Sequence, residues 1–134
     1  MSPIDFKFQG PYGWLRGAYG PMKGTAISNA LWYSAEDLSR ALGYVDDYYL
    51  QKTVSRQNLA SRVQIDRTMG QCRSEVYVNN AGVNEFLNIT SSSRRGKIKE
   101  WFDGLIVPRS ESLVKQLEEL SKDYRDVSFS VDAK

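Results

Sequence analysis

The N-terminal quarter of the chain alternates hydrophobic and polar positions between frequent turn-forming residues. Ile4, Phe6 and Phe8 occupy every second position, with polar residues between them, which is the pattern of a strand with one buried face. Glycine and proline interrupt the sequence repeatedly as far as Gly24, and a further strand is expected over residues 25–33. Residues 1–33 are therefore predicted to form short strands and tight turns, with most of their aromatic side chains in the core.

The hydrophobic period changes to that of a helix at Ser34. Ser34 and, three residues later, Asp37 form an acidic variant of the capping box that begins many helices. The apolar residues after them recur at helical spacing as far as Leu42, and Gly43 ends the pattern. A short helix is predicted over residues 35–42.

The middle of the chain predicts two more helices and a pair of strands. A helix is expected over residues 46–58, followed by strands over 63–66 and 75–78 that a polar connection, 67–74, joins. An asparagine at 79 or 80 can cap a third helix that runs to about residue 88. The residues expected on the inward faces of these two helices are Leu50, Val54, Leu59, Val83, Phe86 and Leu87.

The clearest helical period covers residues 98–106, where apolar residues occupy positions i, i+3, i+4, i+7 and i+8. Trp101 is expected to anchor the core, and Pro108 is expected to end the helix. Four cations, preceded by three serines, crowd the first turns of this helix: Arg94, Arg95, Lys97 and Lys99.

Cations at a helix N-terminus oppose the helix dipole, by roughly 0.3 to 1 kcal/mol each when exposed. A phosphate bound at that terminus would reverse the sign, because backbone N–H groups, hydroxyls and basic side chains all favour an anion. The four cations therefore indicate phosphate contact. The alternative is a face that serves only to keep the protein in solution.

The C-terminal residues carry a heptad-like pattern. Leu113, Leu117, Leu120 and Tyr124 recur at spacings of four, three and four, as in the seam of a coiled coil. A homodimer through a C-terminal helix over residues 110–126 is one interpretation, and a helix packed on its own domain is the other, because two heptads are few. Residues 127–134 are expected to be a flexible tail.

Composition excludes several kinds of chemistry. The chain has 134 residues, of which 41% are hydrophobic and 25% are charged, as expected of one globular domain. It contains one cysteine, Cys72, and no histidine, so neither an internal disulfide nor a catalytic triad or common zinc site is available. We expect no enzymatic activity, no cofactor and no metal. The sequence has no apolar run that could span a membrane and no secretion signal, which favours the cytoplasm.

The charge is unevenly distributed along the chain, although the net charge is only +2. Residues 51–109 contain ten basic and five acidic residues, whereas acidic residues are in excess on either side. A local excess of positive charge is typical of a surface that binds a polyanion. The residues predicted to contact double-stranded DNA are Lys52, Arg56, Arg62, Arg67, Arg73, Arg94, Arg95, Lys97 and Lys99.

Three segments of the chain resemble the Bro N-terminal domain. An aromatic strand end that leads into an acidic and aliphatic helix closed by A-L-G-Y is found at residues 31–44 (LWYSAEDLSRALGY). A strand that leads into a helix is found at residues 76–83 (VYVNNAGV), and the basic, tryptophan-containing segment that ends in proline at 97–108 is similar to the closing helix of that domain. The Gly10–Gly24 stretch departs from the pattern because it is more irregular than the opening hairpin of the family.

The resemblance implies a non-catalytic α+β DNA-binding domain of the kind found in phage antirepressors and in regulators of large DNA viruses. Such proteins often carry an effector domain after this one, so the chain is expected to be the DNA-binding half standing alone. The predicted domain covers residues 1–109, with strands and turns over 1–33 and helices with a hairpin over 34–109. The predicted fold class is α+β, a small antiparallel sheet packed with three to four short helices plus the C-terminal helix.

The sequence is also compatible with two other functions. The first is an inhibitor that binds a host or phage regulatory protein without DNA, through its acidic tail and exposed aromatics such as Tyr48 and Tyr49. The second is binding of RNA or single strands through the N-terminal aromatics.

Overall fold

The computed structural model of the chain describes residues 4–22, 30–66 and 70–132, and for 64–66 and 121–132 it describes the backbone only. The chain divides into two compact units, Met1–Trp101 and Phe102–Lys134, and the predicted domain over residues 1–109 stays a prediction.

The first unit contains a five-stranded sheet in which every neighbouring pair of strands is antiparallel. The strands are β1 (Ile4–Gly10), β2 (Gly13–Gly20), β3 (Ala30–Ser34), β4 (Leu59–Asp66) and β5 (Gln71–Asn79). Their order across the sheet is β1-β2-β3-β5-β4, so β1 and β4 are the edges. Part of the strand predicted over residues 25–33 lies outside the described residues, and the rest is β3.

The helices of the first unit come after β3 and β5. They are α1 (Ala35–Ala41), α2 (Tyr48–Thr53), α3 (Asn80–Ile89) and α4 (Arg95–Trp101), with a 3₁₀ turn at Arg56–Asn58. Together with the antiparallel sheet, these helices confirm the predicted α+β fold class.

Side-chain caps explain where α1 and α3 begin. The Ser34 hydroxyl accepts a hydrogen bond from the Asp37 backbone N–H at 3.1 Å, as the capping box predicts. The Asn79 side chain accepts one from the Gly82 N–H at 2.8 Å. At the other end of α1, Gly43 has a φ of +95°, a left-handed conformation that favours glycine after a helix.

The second predicted helix and the predicted hairpin differ from the structure. The prediction of one helix over residues 46–58 is wrong, because α2 ends at Thr53 and Leu59 already pairs with Val78 in the sheet. Leu50 and Val54 are buried, as predicted. Strand β5 begins at Gln71, within the predicted connection. The prediction missed this start because residues 71–74 are exposed and lack the hydrophobic alternation of a half-buried strand.

The core of the first unit lies on both faces of the sheet. Tyr33 and Val78 are neighbours in the register and are fully buried, and α3 approaches their face so closely that it has a glycine, Gly82, against Val78. The opposite face holds a separate buried cluster around Trp32 and Tyr77. The inward residues predicted for α3 are confirmed as buried: Val83, Phe86 and Leu87.

Trp101, the predicted core anchor, is half-buried and covers Gly10 at the end of β1. A Cβ atom on Gly10 would lie 2.7 Å from Cζ2 of the indole, so only glycine fits beneath the ring.

The second unit consists of a π-helical turn, Phe102–Ile106, and the long helix α5 (Val107–Asp132). The prediction that Pro108 ends a helix is wrong. Pro108 comes two residues after the π-helical turn, and the helix continues through it into α5. Helix α5 includes the predicted segment 110–126 and continues to Asp132. Of the helices in the described ranges, none has the length and apolar character needed to cross a bilayer.

Candidate nucleic-acid interface

The basic cluster, Arg94, Arg95, Lys97 and Lys99, lies in and just before the first turns of α4. Ser92 organises the approach to this helix. Its hydroxyl accepts a hydrogen bond from the Arg94 N–H at 3.1 Å and donates one to the Leu42 carbonyl at 2.5 Å. This serine is therefore used within the fold, where it ties the start of α4 to the end of α1.

Two arginines of the basic cluster are held by carbonyl oxygens. The Arg94 guanidinium donates to the Ala41 carbonyl at 3.4 Å and lies 4.5 Å from the centre of the Tyr12 ring. Arg95 donates to the Thr90 carbonyl at 3.3 Å. Carbonyls and aromatic rings orient a guanidinium without cancelling its charge, so both arginines keep N–H groups for a further anion.

Three of the four cations of the basic cluster have no carboxylate partner among the described residues. Within the described ranges, Arg94, Arg95 and Lys97 form no ion pair with a carboxylate, and Arg95 and Lys97 are exposed. Lys99, also exposed, has an interaction within the fold. Arg94, Arg95 and Lys97 thus offer positive charge that no described carboxylate neutralises.

Lys52 and Arg56 are exposed on α2 and on the 3₁₀ turn after it. Tyr44 lies between this segment and the basic cluster. Its ring stacks on Tyr49 of α2 at 5.5 Å, and its hydroxyl lies 2.6 Å from Oγ1 of Thr90, just before the cluster. Tyr44 therefore links α2 to the residues that precede the basic cluster.

Arg62 and Arg73, both predicted to contact DNA, are bound to carboxylates. Arg62 forms a two-pronged ion pair with Asp5, and its hydrogen bonds to Asp5 raise the pKa of the guanidinium. Arg73 donates to Glu36 at 3.0 Å. The prediction that Arg73 lies at the hairpin tip is wrong, because it is inside β5 opposite Gln64. Arg67, the remaining predicted contact, lies outside the described residues.

Arg16, which is absent from the predicted contacts, lies at the centre of an ion-pair network. Its guanidinium donates to Asp37 at 2.9 Å and to Glu75 at 3.3 Å, which joins β2, α1 and β5. The hydrogen bond to Asp37 raises the pKa of Arg16 even though burial opposes this. Its partners are 21 and 59 residues away in sequence, so no local pattern could have indicated the network.

An open groove of about 410 Å³ lies at the end of the β1–β2 hairpin. Trp14 and Tyr12 line it, and Trp14 is 52% exposed, so the prediction of a core position is wrong for these two aromatics. Tyr12 lies in the turn between β1 and β2, and Trp14 lies at the start of β2, where the strand is exposed. The Lys7 ammonium lies 4.8 Å from the centre of the Trp14 ring.

A second surface combines exposed apolar side chains with acidic residues. Val45 is 87% exposed and Tyr48 is 69% exposed, and Tyr49 is next to them. Asp46 and Asp47 lie within the same segment and hydrogen-bond to the first turns of α2. We call residues 45–49 the tyrosine patch.

The predicted dimer seam is only partly described. Leu113 and Leu117 are half-buried, and Leu120 is 64% exposed. The side chain of Tyr124 lies outside the described residues. The homodimer stays a prediction.

No family model, curated protein or solved structure matches the chain. The described residues also contain no group of three histidine, cysteine, aspartate or glutamate side chains that could hold a metal ion. The function of the chain must therefore be inferred from its surface chemistry.

Proposed function

We propose that the protein is a DNA-binding regulator of phage or viral type, similar to an antirepressor, which acts in the host cytoplasm. Its basic cluster would hold the phosphate backbone of double-stranded DNA. The observation that supports this most directly is that Arg94, Arg95 and Lys97 form no ion pair with a carboxylate in the described part of the chain.

Phosphate binding needs cations that can release counterions from DNA without first losing a protein partner. Arg94, Arg95 and Lys97 meet this condition, and Lys52 and Arg56 are further exposed cations that the proposal includes. Arg62 and Arg73 are left out of the proposed contact surface, because each would have to give up a carboxylate.

The order of the elements agrees with the resemblance to the Bro N-terminal domain. Residues 31–44 cover β3, α1 and the residues after it, and residues 76–83 cover the passage from β5 into α3. In each segment a strand leads directly into a helix, as the resemblance implies. This agreement supports the proposal independently of the charge pattern.

The salt dependence of DNA binding tests the proposal. We expect Arg94→Ala with Arg95→Ala to weaken binding to all duplex sequences. The slope of log K against log salt should fall by about 1.8, because each lost phosphate contact removes about 0.9. A gel-shift series at several salt concentrations measures this slope.

Arg94 also contacts Ala41 and Tyr12, so a second variant guards against misfolding. Arg95→Ala with Lys97→Ala removes two exposed cations and should reduce the slope as much. Lys115→Gln, an exposed lysine of α5, is the matched control and should leave the slope unchanged. A slope that is the same in all variants, or no DNA binding by the original protein, would exclude the proposed interface.

The second candidate function is an inhibitor that binds a host repressor or a defence complex. The exposure of Val45 and Tyr48 favours it, because tyrosines surrounded by apolar surface are enriched in protein interfaces. The protein purified from host cells separates the two functions, since a DNA-binding protein retains nucleic acid and an inhibitor retains a stoichiometric polypeptide.

A further inference from the structure

The groove at the end of the β1–β2 hairpin combines an exposed indole with cations that lie on the same side of the sheet. Trp14 pairs with Gln9 and Arg16 pairs with Lys7, so Lys7 and Trp14 are diagonal neighbours on one face. Gly13, with a φ of +123°, makes the tight turn that places Trp14 near the start of β2. The pleat therefore holds the ring and the ammonium in a fixed relation.

The residues that line this groove have a positive excess. Three are basic, Lys7, Arg16 and Arg40, and one is acidic, Asp37, so their net charge is +2. Arg16 is committed to Asp37, and Arg40 binds Glu36 at 2.8 Å while its side chain is 60% exposed. Lys7 has no carboxylate within ion-pair distance among the described residues, and its ammonium lies over the Trp14 ring.

We propose that this groove binds a free nucleoside phosphate, with the base stacked on Trp14 and the phosphate held by Lys7, the lining cation that has no carboxylate partner in the described part of the chain. Every nucleobase has a π-face that can stack on an aromatic side chain. The base would displace the Lys7 ammonium from the ring, and the phosphate would give that ammonium a stronger, charged partner. The volume of the groove, about 410 Å³, lies within the roughly 300 to 1,000 Å³ of small-molecule pockets.

This site adjoins the proposed DNA contacts, because Arg94 lies over the ring of Tyr12, but its own lining cations are not among them, and it goes beyond the proposed function. A single strand would also supply bases and phosphates, but the groove is bounded, and its lining residues come from one hairpin end and one turn of α1. The geometry therefore favours one nucleotide over a continuous strand.

Tryptophan fluorescence provides the test. Trp32 is fully buried and Trp101 is half-buried, so a ligand that stacks on Trp14 should quench the most exposed indole of the three. We expect saturable quenching by the 5′-monophosphates of adenosine, guanosine, cytidine and uridine, and none by inorganic phosphate at equal ionic strength. Calorimetry should give at least tenfold weaker binding for Trp14→Ala and severalfold weaker binding for Lys7→Gln.

Two comparisons make the test specific. Trp14→Phe keeps a stacking surface and should bind more tightly than Trp14→Ala, and Lys115→Gln should bind like the original protein. Arg95→Ala with Lys97→Ala should also keep nucleotide affinity, so a failure of the DNA proposal can be told apart from a failure of this one. Binding that is unchanged in Trp14→Ala, equal competition by inorganic phosphate, or affinity for oligonucleotides without affinity for mononucleotides would each overturn the proposal.

Discussion

Gly82 lies where α3 passes close to β5 and to the chain after α2. A Cβ atom at this position would approach Val78 more closely than van der Waals contact allows, and it would lie 3.0 Å from Cβ of Asn58 and 3.2 Å from Cγ1 of Val54. Val78 is fully buried and β-branched, so it cannot move aside easily. The glycine therefore sets how closely helix and sheet can pack.

We expect Gly82→Ala to lower the free energy of unfolding by about 1 to 3 kcal/mol, the usual range for overpacking a core. Gly96→Ala is the matched control, because a Cβ on this exposed helical glycine would meet no atom within 4 Å. It should instead stabilise the protein by about 0.4 to 1 kcal/mol. Urea denaturation measures both changes, and a neutral Gly82→Ala would contradict the close packing.

Tyr77 is a buried tyrosine whose hydroxyl donates to Glu75 at 3.3 Å. Burial raises the pKa of the Tyr77 hydroxyl, and the charge of Glu75 raises it further, while Arg16 and Arg62 lower it. The unfolded chain has the ordinary tyrosine pKa of about 10, so it loses its proton first as the pH rises. The contribution of Tyr77 to stability is therefore complete below about pH 10 and is lost as the pH rises towards the folded-state pKa.

The alkaline loss of stability should thus be smaller in Tyr77→Phe than in the original protein. The free energy of unfolding, measured in urea at about pH 8 and again at about pH 10.5, gives this loss for each variant. Tyr48→Phe removes an exposed hydroxyl and should leave the loss unchanged. An equal loss in Tyr77→Phe would show that burial of this hydroxyl does not govern the alkaline behaviour.

Elements with a local start or stop were predictable from the sequence. The ends of α1 and the start of α3 depend on a capping side chain or a glycine within a few residues, so the pattern contains the information. Strand β1 was predictable for a similar reason, since its alternation arises because one face of the strand is more buried than the other.

Elements that depend on distant partners were predicted poorly. The chain leaves α2 at Val54 and enters β4, whose first residue, Leu59, pairs with Val78, nineteen positions later in the sequence. The exposed half of β5 has no apolar alternation, and only its ladder with β4 defines it as a strand. Pro108 was interpreted from its usual effect inside a helix, whereas its effect depends on the turn in which it lies.

At the candidate site, too, features local in sequence were predictable, whereas contacts between distant parts of the molecule were not. The sequence indicated which part of the chain is basic, but it could not indicate which cations would meet carboxylates from other elements. Arg62 binds Asp5 across the sheet and Arg73 binds Glu36 of α1, whereas Arg94 and Arg95 are held by neutral groups. The exposed Trp14 groove was missed because a tryptophan near a strand is usually buried.

The difference between cations that are paired with acids and cations that are not predicts which substitutions change the salt dependence of DNA binding. Arg62→Gln with Arg73→Gln removes as much positive charge as Arg95→Ala with Lys97→Ala, but it removes charge that carboxylates already balance. Only cations that neutralise phosphates release counterions from DNA. The slope should therefore stay unchanged in the Arg62 and Arg73 variant and fall by about 1.8 in the Arg95 and Lys97 variant. Stability should fall by only about 0 to 1 kcal/mol per broken pair, because each pair has one largely exposed partner. If the first pair reduced the slope as much as the second, the DNA would contact the sheet face as well as α4, because only contact with phosphate could draw Arg62 and Arg73 away from their acids.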